Sequence, residues 1–138
     1  MLSRGTQKIF IHAGSSGTAN QPSFECAIFA EGGAPRKLFP ALAVLTELLG
    51  PAPVFASERR IGATGWAMAF ETGKQSVVAL WNADEDPATR TAVSSSGSGR
   101  WMDIMGRPIA AQPVGLSTSP VYLIGPAGKA KELLGSLH

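Results

Sequence analysis

Cysteine is almost missing from this chain: Cys26 stands alone, which excludes an intrachain disulfide and a cysteine-built metal cluster. Histidine is nearly as scarce, since His12 is the one internal histidine and His138 ends the sequence. No metal centre or cofactor is therefore expected. Charge is thin as well, 16% of residues, and its +2 balance is spread without a basic run. That leaves no electrostatic footprint for nucleic acid. Long apolar runs are also lacking. The richest, from Ala41 to Leu49, is broken by Thr46 and Glu47 and is too short to span a bilayer, so no membrane segment is expected. No signal-peptide pattern opens the chain, because MLSRGTQKIF leads into His12 and a Gly/Ser loop. The compartment stays open. That loop, Gly14-Ser15-Ser16-Gly17-Thr18, lacks the Gly-Lys-Ser/Thr ending of a phosphate cradle and reads as an ordinary turn.

What is present argues for a packed domain. Hydrophobic residues make up 44% of the 138 positions, and mean hydropathy is slightly positive. So little charge predicts that part of the surface is covered, by another copy or by a further domain. The chain reads as a strand over Lys8 to Ala13, a polar loop, and a second strand over Phe24 to Ala30. A helix then begins near Lys37, with Pro40 in its first turn and Gly50-Pro51 as its stop. Leu38, Leu42, Leu45 and Leu49 form its apolar stripe. After Pro53 the pattern changes to short strands. Trp66, Met68 and Phe70 alternate with alanines, and a turn at Thr72 to Gln75 leads into Ser76 to Trp81. Further strands are predicted at Arg90 to Ser95, Arg100 to Ile104, Val114 to Thr118 and Val121 to Ile124, with a terminal helix inside Ala127 to Leu137. The expected fold is mainly β: a β-sandwich of about seven to eight antiparallel strands, preceded by a strand-loop-strand-helix segment. A boundary near residue 50 divides 1–50 from the sandwich at 51–138.

Three segments carry a resemblance. They are Val78-Ala79-Leu80-Trp81-Asn82, then Met102-Asp103-Ile104-Met105-Gly106-Arg107-Pro108, and finally Leu116-Ser117-Thr118-Ser119-Pro120-Val121-Tyr122-Leu123-Ile124-Gly125. In this order and spacing they resemble the C-terminal β-sandwich behind the (β/α) barrel of several glycoside hydrolase families. Lys8 to Gly14 and Pro40 to Leu45 are similar to the last strand and helix of such a barrel. The resemblance implies an accessory module of a carbohydrate-active enzyme, not catalytic alone, since the rest of the barrel and its carboxylates are missing. It also implies a parent enzyme that can be secreted.

The alternatives are a small glycosidase and a protein interaction domain. A glycosidase needs two carboxylates roughly 5 to 10 Å apart. Glu25 and Glu31 are the catalytic candidates, because Glu31 stands where the barrel's final strand would hand over to its helix. Asp84-Glu85-Asp86 reads as a solvated loop, and Asp103 as a turn cap. For substrate contact the candidates are His12, at the mouth of the parent barrel by the resemblance, and Trp101, which follows a Gly/Ser loop and is the best of the tryptophans for an exposed ring stacking on sugar, core packing being its other reading. Trp66 and Trp81 lie among apolar neighbours and are expected in the core. The partners expected are carbohydrate, and either a second copy or the barrel through the Leu38/Leu42/Leu45/Leu49 stripe.

Overall fold

The computed structural model describes residues 28, 29, 34–110 and 112–138. The expected strands at 8–13 and 24–30 lie outside the described residues, apart from Ile28 and Phe29. The first helix, α1 (Leu38–Leu49), matches the expectation at both ends: Lys37 occupies the N-cap, and Gly50 takes φ 65° and returns its N–H to Thr46 O. Pro40 is harmless there, because an N–H in the first turn has no partner four residues back.

Eight strands follow: β1 (Val54–Ile61), β2 (Gly65–Glu71), β3 (Gln75–Asn82), β4 (Ala92–Val93), β5 (Arg100–Asp103), β6 (Pro108–Ile109), β7 (Val114–Gly115) and β8 (Val121–Pro126). A short helix, α2 (Ala130–Gly135), comes last. The fold is mainly β and sandwich-like. Six strands make one antiparallel sheet in the order β1-β2-β3-β8-β5-β6, and β4 pairs with β7 in a second, two-stranded sheet.

Period-two alternation sends side chains to the two faces of the large sheet. One face carries Ala67, Ala69, Val78, Leu80, Trp101 and Leu123. The second layer covers it: Ala130, Leu133, Leu134 and Leu137 come from the α2 end, and Val93, Val114 and Leu116 from around the small sheet. The other face carries Phe70, Val77, Tyr122 and Ile124, and α1 lays Leu48 and Leu49 across them. Val44 and Leu45 pack at the margin of that cluster. The helix therefore buries its C-terminal half in its own sheet. Leu45 and Leu49 of the predicted contact stripe are used inside the chain, while Leu38 and Leu42 are half-buried.

Three departures from the sequence expectation have local causes. β1 was not separable as a strand because a register shift between Phe55 and Ser57 breaks its alternation. β6 is an edge strand begun by Pro108, a place where a missing N–H removes no needed ladder bond. The stretches 90–95 and 114–118 shrink to two-residue strands, since the chain around them turns at the Pro87–Thr89 3-10 helix and at Ser117, whose Oγ accepts from Ser119 N–H at 3.2 Å.

Candidate functional site

Glu71, Asp84, Asp86 and Asp103 each accept backbone N–H groups. Asp103 closes the β5–β6 hairpin. Its Oδ1 accepts the N–H groups of Met105 and Arg107, both at 2.9 Å, and its Oδ2 accepts Arg107 Nε at 2.7 Å. Gly106 completes this turn at φ 82°, a conformation costly for a residue with a Cβ. Burial pushes the Asp103 carboxyl up, but the hydrogen bonds and the charge of Arg107 outweigh it and hold it below the usual range. Asp103 is thus the turn cap that the sequence suggested.

Glu71, at the end of β2, reaches across to the start of α2. Its Oε1 accepts Ala130 N–H at 2.7 Å and its Oε2 accepts Gly128 N–H at 2.9 Å. The buried Ser76 hydroxyl lies 2.9 Å from Glu71 Oε2 and itself accepts Lys129 N–H at 2.9 Å. Desolvation again raises this carboxyl, and the Ala130, Gly128 and Ser76 hydrogen bonds more than reverse it, leaving it below its ordinary value. In the acidic loop Asp84 Oδ1 accepts Asp86 N–H, and Asp86 Oδ1 accepts Ala88 N–H to start the 3-10 turn. Among the described residues no group of three His, Cys, Asp or Glu side chains could hold a metal ion. The candidates Glu25, Glu31 and His12 lie outside the described residues.

The tryptophans require a correction. Trp101, the candidate for an exposed stacking residue, takes its core reading: it is 3% exposed and sits between β6 and β8. The Gly/Ser loop before it reads as exposed, but its position in β5 points Trp101 at Leu123 and the second layer, so its ring offers no open face. Trp66 and Trp81, expected in the core, are instead half-buried and stand directly opposite each other on β2 and β3. Both point to the α1 face, at the end of β2 and β3 away from Gln75, whose side chain bonds Leu48 O. Arg60 on β1 pairs in register with Trp66 and lays its guanidinium 4.6 Å from the centroid of the Trp66 ring. One of its nitrogens also donates to Ala63 O. The sequence signals that mattered here were the even numbering that puts Trp66 in phase with Met68 and Phe70, and the position of both tryptophans at strand ends.

The same face has a second opening. A groove of about 460 Å³ lies between α1 and the sheet, with Val44, Leu48 and Met102 as its apolar side and Glu47, Gln75 and Arg100 as its polar lip. Gln75 Nε2 donates to Leu48 O at 3.1 Å and so ties the helix end to β3. Compared with known proteins, the chain matches no family model, no curated protein and no solved structure.

Proposed function

We propose that the chain is a C-terminal, sandwich-like accessory module of a (β/α)-barrel glycoside hydrolase, carbohydrate-related and not catalytic by itself. One observation supports this reading above the others. The three segments that carry the resemblance are neighbours in one sheet, as β3, β8 and the β5–β6 hairpin. The middle one, Met102 to Pro108, folds into a turn whose acid and glycine both have defined structural tasks. In this reading α1 corresponds to the last barrel helix. Its N-terminal half, with Leu38, Leu42 and the 44% exposed Phe39, is the part left to meet a barrel or a second copy.

The test is a hydrolysis screen of the purified chain on nitrophenyl glycosides, with Glu25→Gln and Glu31→Gln alongside. An accessory module gives no turnover above buffer. Turnover that disappears in either variant would show that the chain builds its own active site, and the reading would fall.

A further inference from the structure

The chain after β8 crosses the α2 face and is tied down at both ends. At its entry, three successive N–H groups are taken by two side chains of the sheet. Glu71 accepts Gly128 N–H at 2.9 Å and Ala130 N–H at 2.7 Å, and the Ser76 hydroxyl accepts Lys129 N–H at 2.9 Å. Gly128 turns the backbone there with φ 78°. At the far end, Ser136 Oγ lies 2.7 Å from Ser95 Oγ, and Ser94 and His138 exchange N–H···O bonds of 2.9 and 3.0 Å. Between the ends, Ala130, Leu133, Leu134 and Leu137 belong to the core. Leu133 seats against Gly99 and Gly125, where a Cβ would come within 3.1 and 3.2 Å of its Cδ1.

We infer that residues 127–138 form a clasp that lifts from the sheet while the strands stay paired, and that the Glu71 carboxylate is its catch. The strands β2, β3 and β8 are joined by continuous backbone ladders. The clasp meets that sheet through side chains instead: Glu71, Ser76, apolar packing, and one bond from Arg59 Nη1 to Leu134 O at 3.3 Å. Of these ties the carboxylate is the one that changes charge in acid, since the others are hydroxyl, apolar and guanidinium groups. The charged side chains on the elements around it are Lys74 on the β2–β3 turn and Lys129 and Glu132 at the start of α2, and the last two pair with each other at 2.7 Å. Hydrogen bonds to an ionised acceptor are roughly twice as strong as neutral ones, so neutralising Glu71 weakens the catch without removing it. Desolvation raises this carboxyl, but its hydrogen bonds hold it below its ordinary value. The catch is therefore at full strength near neutral pH and weakens as pH falls through the lower, folded value. Lifting the clasp uncovers Val78, Leu80 and Leu123, all fully buried when it is shut, and so bares an apolar face in acid. The clasp does not depend on the accessory-module reading.

Hydrogen exchange of the full chain tests this, read by mass spectrometry after pepsin digestion and corrected for the intrinsic effect of pH on amide exchange. Amides of 130–137 are expected to exchange as a group, faster than those of β2 and β8 and with little response to low urea, the mark of a partial opening. Their exchange should rise in acid. Glu71→Gln should speed it roughly fivefold at neutral pH and flatten the rise in acid. If that variant does not fold, the pH series of the unaltered chain still decides. The clasp is overturned if 130–137 open only together with β2 and β8, or if their corrected exchange does not rise in acid. The catch is overturned if Glu71→Gln responds to acid as steeply as the parent.

Discussion

The two faces of the large sheet are built to different standards. On the α2 side, Ala67, Ala69, Val78, Leu80 and Leu123 are each 0% exposed, and α2, β4 and β7 close over them. Among the described residues, the α1 side is closed under Leu48 and Leu49, while Met68, Ala79, Trp66 and Trp81 are half-buried. The difference teaches that, among the described residues, the α2 face is the more tightly closed and the α1 face the more loosely covered. Close packing leaves no room for a ligand, whereas an incompletely covered face with aromatic and polar groups has the composition of a contact surface.

Substitutions can break this contrast or sharpen it. Leu123→Ala, in the middle of β8 on the sealed face, should show the largest effect, a loss of about 3 kcal/mol in urea unfolding. Leu48→Ala on the α1 face should cost less, about 2 kcal/mol, because its neighbours border a groove and can relax into it. Equal losses at the two sites would erase the distinction between the faces. Glu71→Gln should have the smallest effect, about 1 kcal/mol near neutral pH, by weakening the acceptor at the start of α2. The sign of its pH dependence is set by a folded carboxyl below its usual 4.5. Its stabilisation is present above that value and fades as pH falls through the lower, folded pKa. Parent and variant melting curves should therefore converge in acid. A gap that stays constant down to strong acid would show that Glu71 acts through shape and not through charge.

Much of the architecture was legible in the sequence. The helix start near Lys37, its stop at Gly50, and the hairpin through Thr72 to Gln75 all follow from short-range rules that depend on proline, glycine and hydroxyl chemistry. The role of Asp103 was legible for the same reason. The tryptophans were not, because alternation places Trp66 and Trp101 on a face without saying which face is covered, or how far. Whether α1 reaches Trp66 depends on where β8 inserts, and that pairing is long-range. β1 escaped because its Arg59-Arg60 end and its irregular register look like a loop when no partner strand is in view.

The position of β8 bears on how the chain is made. Residues 121–126 lie between β3 and β5, so the β1-β2-β3 meander and the β5–β6 hairpin share no strand until this segment leaves the ribosome. Until then β3 and β5 each present an open edge, and Val78 and Leu80 have no β8 beside them. Nascent chains stopped before residue 121 should be easily digested by protease and prone to pairing with one another, and chains extended past Leu137 should become resistant in one step. Folding of this domain thus waits on its last strand.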